Sequence, residues 1–115
     1  MKIYYKPTCI TCKRALSELD RMKIDLEKRD FFKDSLSESE IKKILKITKM
    51  KARELLRTRD KMYKELSLEN SNHTDVQLVK MMAKYPGLIK RPIIISKNNA
   101  IVGKTNSKEI KSILR

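Results

Sequence analysis

The stretch that decides the reading of this chain is Lys2-Ile3-Tyr4-Tyr5-Lys6-Pro7-Thr8-Cys9-Ile10-Thr11-Cys12-Lys13-Arg14-Ala15-Leu16. Lys2 to Tyr5 is rich in β-branched and aromatic residues and is bounded by Pro7, so it reads as a short buried strand. Past Thr8-Cys9 the period changes. Ala15, Leu16, Leu19 and Met22 recur at three- and four-residue steps, the spacing of one helix face. Cys9 therefore falls at the strand-to-helix turn, near the helix N-cap, and Cys12 in the first turn. Ile24 to Arg29 opens with apolar and polar residues alternating and reads as a second strand. Strand, helix, strand is the unit that builds a parallel pair.

Working outward, the middle of the chain is helical. Ser37-Glu38-Ser39-Glu40 has the form of a capping box before the apolar stripe Ile41, Ile44, Leu45. Residues 50–56 and 60–66 favour helix, and Thr74 or Asp75 caps a further helix carrying Val76, Val79, Met82 and Ala83, stopped by Pro86-Gly87. The end differs. Pro92-Ile93-Ile94-Ile95, then Lys97-Asn98-Asn99, then Ala100-Ile101-Val102-Gly103 reads as strand, tight turn, strand, with Asn supplying tolerance of positive φ. Ser107 to Leu114 makes a last helix. The order β-α-β, helices, β-β-α predicts one α/β sheet with a helical insert between its halves.

The 115 residues suit one domain with one hydrophobic core. Two glycines and three prolines argue against a linker or a collagen-like repeat, and no apolar run is long enough to span a bilayer. No apolar segment follows the first residues, so the expected compartment is the cytoplasm. Lys and Arg number 28 against 14 Asp and Glu, a formal charge of +14. From 42 to 59 the basic residues are Lys42, Lys43, Lys46, Lys49, Lys51, Arg53, Arg57 and Arg59, with Glu54 the one acid. Such density attracts anions or acidic surfaces. Nucleic acid would be one such partner, but no helix-turn-helix, zinc finger or RNA-binding aromatic motif accompanies the charge. A solvated lysine-rich surface is the plainer reading.

Cys9 and Cys12 are the only cysteines. A disulfide-stapled scaffold needs more, spread along the chain, and a structural zinc site needs four ligands where only His73 could be added. A C-x-x-C pair in this setting points to redox chemistry. The helix N-terminus, with Lys13 and Arg14 close behind, should favour the Cys9 thiolate, and its free N–H groups could cradle an oxyanion. Cys12, one turn on and deeper, is placed to resolve a mixed disulfide on Cys9. The alternative is that both are small buried hydrophobes.

Three blocks together, Tyr4-x-x-Pro7-x-Cys9-x-x-Cys12, Pro86-Gly87-Leu88-Ile89-Lys90-Arg91-Pro92-Ile93-Ile94-Ile95, and Val102-Gly103 before the last helix, resemble the arsenate reductase (ArsC)/Spx family of thioredoxin-fold proteins. The resemblance implies a thioredoxin-like, or glutaredoxin-like, four-stranded mixed sheet. The core would span about residues 1–32 and 86–115 and the helical insert about 35–85, in a single 1–115 domain. It implies a cis peptide before Pro92. It also implies a thiol-dependent oxidoreductase in which Cys9 attacks an oxyanion such as arsenate, or a disulfide, and Cys12 resolves. Arg91 would assist the chemistry. Arg57, Arg91, Lys104 and Thr11 would bind the anion, Lys104 standing where the reductases carry a third arginine. No cofactor or metal would be bound; glutathione, glutaredoxin or thioredoxin would supply electrons to a monomeric protein. The other branch of the family implies a CxxC redox switch that binds RNA polymerase, matched at the CxxC, at Arg59 and at Arg91-Pro92-Ile93-Ile94-Ile95. Arg57 and Arg59, two apart on a continuous helix, would face different ways.

Overall fold

Lys2–Tyr5 forms β1, one of two inner strands of a four-stranded sheet. The computed structural model describes residues 1–103 and 106–113. In chain order, β1 is followed by α1 (Ile10–Arg21), β2 (Glu27–Asp30), α2 (Glu38–Thr48), α3 (Ala52–Leu55), α4 (Lys61–Glu65), α5 (Asp75–Lys84), a single 3-10 turn (Pro86–Leu88), β3 (Ile93–Ser96), β4 (Asn99–Val102) and α6 (Ser107–Ser112). These divide into two units, Met1–Asp34 with Arg91–Arg115, and Ser35–Lys90.

The first unit holds the whole sheet, in the order β2-β1-β3-β4. β1 runs parallel to β2 and antiparallel to β3, and β3 and β4 form an antiparallel hairpin. This is the mixed α/β sheet expected from the sequence. Register places Ile3 opposite Ile94, so both point to the same face. There they meet Ala15 and Leu19 of α1 and Ile110 and Ile113 at the end of α6 in one buried cluster. Burying each of the larger side chains contributes about 1.5–3 kcal/mol.

Two boundaries differ from the periodicity reading. The second strand begins at Glu27 rather than Ile24. Lys23 takes a left-handed conformation (φ 55°) after α1, and residues 24 to 26 are spent on leaving the helix. Ile24 and Leu26 still pack on the core, which explains their alternation without a ladder. In the hairpin, the positive φ falls on Lys97 (56°) rather than on an asparagine.

The second unit is helical. Ser37 Oγ accepts from Glu40 N–H, and the Glu40 carboxylate accepts from Ser37 N–H, closing the predicted capping box of α2. Thr74, rather than Asp75, caps α5 and forms the same reciprocal arrangement with Gln77. The helix expected over 50–56 shrinks to the four residues of α3. Leu56 turns extended and forms an isolated bridge with Ile89. Arg57 N–H donates to Leu88 C=O at 2.7 Å, and Lys90 N–H to Leu55 C=O at 3.0 Å. These bonds tie the connection after α3 to the end of the unit. Ile41, Ile44, Ala52, Leu55, Leu78, Val79 and Met82 are buried.

Candidate functional site

The topology gathers the chemistry at one end of the sheet. β1 and β2 are parallel, so the residues after them, Lys6 and Phe31-Phe32, emerge on the same side. β3 is antiparallel to β1, so the residues before it, Arg91 and Pro92, emerge there too. The N-terminus of α1, with both cysteines, leaves β1 at that end.

Cys9 is the N-cap of α1, in an extended conformation (φ −80°, ψ 124°), and its C=O accepts from Lys13 N–H at 2.9 Å. Lys6 fixes the turn with both of its backbone groups. Its C=O accepts from Cys9 N–H at 3.1 Å, and its N–H donates to Cys12 Sγ at 3.4 Å. Cys12 is fully buried, whereas Cys9 is partly exposed. Both are free thiols.

The two sulfurs titrate in opposite directions. Partial burial opposes ionisation of Cys9. Hydrogen bonding from the Cys12 amide, the Cys12 thiol, the Arg91 side chain and the Thr11 amide outweighs it, and the thiol lies below its ordinary value. No strict capping bond to Cys9 Sγ forms, but the two amides lie close enough to favour its charged state. Burial pushes Cys12 up to about 12. The Lys6 N–H works against that rise, while the charge and hydrogen bonding of Cys9 add to it. The pair therefore sets a partly exposed sulfur that ionises more readily than an ordinary thiol beside a buried one that holds its proton more firmly. A thiolate can attack an electrophilic sulfur or an oxyanion centre; a thiol held in reserve can follow.

The lowering of Cys9 is local in origin. Lys13 and Arg14 are exposed on α1 and are not among the groups that lower the Cys9 thiol. Short-range donors act in their place. Arg91 is buried, 9% exposed, with Cζ 5.1 Å from the centroid of the Phe32 ring. The Arg91–Pro92 peptide is cis, and Pro92 is buried. Its C=O accepts from Gly103 N–H at 2.8 Å, where Gly103 takes φ of 71°. Thr11 contributes its amide.

Arg57 belongs to the second unit. It lies on the connection after α3 rather than on a helix, so the argument from helix faces does not apply to it and Arg59. Its guanidinium is 3.8 Å from the Asp60 carboxylate. Arg53, counted above with the surface cations, serves the fold instead, donating to Leu68 C=O at 2.8 Å and to Ser71 C=O and Oγ at 3.0 Å. Lys104 lies outside the described residues. Among the described residues, no three His, Cys, Asp or Glu side chains are grouped to hold a metal ion, and no helix is long and apolar enough to cross a membrane.

Sequence reasoning missed Lys6 and gave Phe32 no specific place. Lys6 Nζ lies 4.6 Å from the Phe32 ring centroid, on the ring that Arg91 also approaches. A lysine just past the end of a strand carries no signal of its own; only the parallel pairing of β1 with β2 puts it beside Phe32.

Known proteins share this arrangement of chain and fold. The family model described as "ArsC family" matches residues 4–113. A Bacillus cereus protein named global transcriptional regulator Spx 1 is 35% identical over 112 residues, covering 97% of this chain and 85% of its own length. The Bacillus subtilis global transcriptional regulator Spx is 33% identical over the same shares. The structure of an arsenate reductase from Vibrio cholerae superposes with a TM-score of 0.84 at 27% identity, covering 99% of this chain and 96% of that one. With a cysteine turn before α1, a proline before β3, and a family match over nearly its whole length, the chain belongs to the ArsC family.

Proposed function

We propose that this protein is a thiol-dependent oxidoreductase in which Cys9 is the nucleophile and Cys12 the resolving thiol. The observation that carries this reading is the split between two neighbouring thiols, one lowered and partly exposed, the other raised and buried. With a disulfide substrate R–S–S–R′, the Cys9 thiolate attacks one sulfur, the Cys9–S–S–R bond forms and R′S⁻ leaves. Cys12 then attacks Cys9 Sγ, its proton passing to a departing thiolate, and RS⁻ is released. The two thiols have given up two electrons and the substrate has gained them. With arsenate, Cys9 displaces water to form a sulfur–arsenic bond. Attack of Cys12 on Cys9 Sγ then leaves that bond's electron pair on arsenic, taking As(V) to As(III).

The raised Cys12 value suits this order. In the resting protein the charge of Cys9 helps keep Cys12 protonated. Once Cys9 is bonded to substrate that charge is gone, while the Lys6 N–H and the Arg91 charge still favour the Cys12 thiolate. Arg91, with the Thr11 amide, stabilises the attacking and departing charge on Cys9. Glutathione, glutaredoxin or thioredoxin would reduce the Cys9–Cys12 disulfide and return the protein to its starting state.

A second reading is favoured by the names of the curated relatives: the same dithiol would act as a redox switch on a surface that binds the transcription machinery, RNA polymerase in particular. One set of variants separates the two. Cys9→Ser should abolish turnover of arsenate and of a model disulfide, and Cys12→Ser should trap the mixed disulfide, seen as an added mass. Cys9→Ser turning over at the wild-type rate would sink the enzymatic reading. Polymerase captured only by the oxidised form, with no turnover of either substrate, would favour the switch.

A further inference from the structure

We propose that Phe32 is a positioning residue for the dithiol: its ring holds the Arg91 guanidinium beside Cys9 and anchors Lys6, whose backbone bonds both cysteines. The inference rests on the reading of Cys9 as an acidified nucleophile and adds the device that keeps it so.

The ring is itself firmly held. Asp30 ends β2, and its Oδ1 accepts from Phe32 N–H at 3.0 Å and Lys33 N–H at 3.2 Å, fixing the turn that presents the side chain. Phe31, fully buried, contacts Phe32 with centroids 5.1 Å apart and planes inclined at 53°, within the range of attractive aromatic pairs. Phe31 N–H is tied to Tyr5 C=O at 3.3 Å, at the end of β1. Phe32 is thus located by β1 and β2 before it meets either cation.

Two cations then use it. Arg91 Cζ is 5.1 Å and Lys6 Nζ 4.6 Å from its centroid, both inside the distance at which a ring quadrupole attracts a positive charge. Each leads directly to a sulfur. The Arg91 side chain helps lower the Cys9 thiol, and the Lys6 backbone accepts from Cys9 N–H and donates to Cys12 Sγ. A side chain as long as arginine loses much rotamer freedom when fixed. A ring that restricts it beforehand makes its bond to the thiolate easier to form.

The test is the pH profile of Cys9 alkylation by iodoacetamide on the reduced, folded protein, with the label localised by mass spectrometry and the melting midpoint recorded in parallel. Phe32→Leu keeps apolar bulk and loses the ring. It should slow alkylation at pH 6 by roughly 3- to 10-fold and move the midpoint up by about 0.5–1 pH unit. Phe32→Tyr, which keeps the ring, should stay within about 2-fold of wild type. Should Phe32→Leu fail to fold, pentafluorophenylalanine at position 32 preserves the shape and reverses the ring's charge distribution, and the same slowing is expected. A wild-type midpoint well below the ordinary thiol value, with Phe32→Leu or the fluorinated variant superposing on it, overturns this inference alone. A profile shifted as far by Phe32→Tyr also overturns it, since the ring would then be irrelevant. A wild-type midpoint at the ordinary thiol value overturns both it and the reading on which it rests.

Discussion

At the scale of single residues, the proposed chemistry depends on which groups lie close to a sulfur rather than on how much charge the chain carries. The chain carries a formal +14, and two of its cations follow Cys12 directly. Yet Lys13 and Arg14 point into water, where their influence is screened. Buried Arg91, at the same end of the sheet, is among the groups that lower the Cys9 thiol. Arg91→Gln should therefore raise the Cys9 pKa and slow its alkylation at pH 6 by about 10-fold, the size of one pKa unit. Lys13→Gln with Arg14→Gln should change it by less than about 2-fold. In every variant the rate should climb with pH through the Cys9 value and level off above it, because only the thiolate reacts. A larger effect from the Lys13/Arg14 pair than from Arg91 would restore the explanation by helix-flanking charge.

Among elements, caps and turns were the most legible features and connections the least. The Ser37 box could be read from three-residue spacing, and the cap of α5 to within Thr74 or Asp75, because their partners are local. The length of α3 could not, since Leu56 leaves the helix to bridge Ile89, more than thirty positions away. Gly87 shows a related limit. Its place after Pro86 reads as a stop signal, but a Cβ there would lie 2.7 Å from Asp60 Oδ1. That carboxylate caps α4, accepting from Met62 N–H at 3.0 Å, and pairs with Arg57. Gly87→Ala should push the carboxylate aside and cost about 1 kcal/mol, the usual worth of an N-cap. Urea unfolding would measure it. Asp60→Ala should lose a similar amount, and the double variant little more than either alone, because both disturb one cap. Full additivity would show that Gly87 acts elsewhere.

For the whole molecule, the opposed thiols make stability depend on pH. Between the native Cys9 value and about 8.5, the unfolded chain holds a proton that native Cys9 has released, so stability rises with pH. Between about 8.5 and the native Cys12 value near 12 the unfolded chain has lost a proton that native Cys12 retains, so stability falls as pH rises. Reduced protein should lose stability from pH 8.5 to 10, and Cys12→Ala should lose less over the same interval in urea titrations. A gap between the two proteins that does not narrow as pH rises would contradict the Cys12 assignment.

The sequence by itself determined what is local: β1, the start of α1 with Cys9 near its cap, the Ser37 capping box, the β3–β4 hairpin and the family to which these belong. Such features need only neighbours a few positions apart, and their spacing is written in the chain. The resemblance already implied Arg91 at the cysteines; tertiary structure alone decided that Lys6 and Phe32 join it there. Parallel pairing of β1 with β2 and antiparallel pairing of β1 with β3 bring their ends to one side, so residues far apart in sequence become neighbours. No periodicity encodes that convergence, because it follows from strand order and direction rather than from any repeat along the chain.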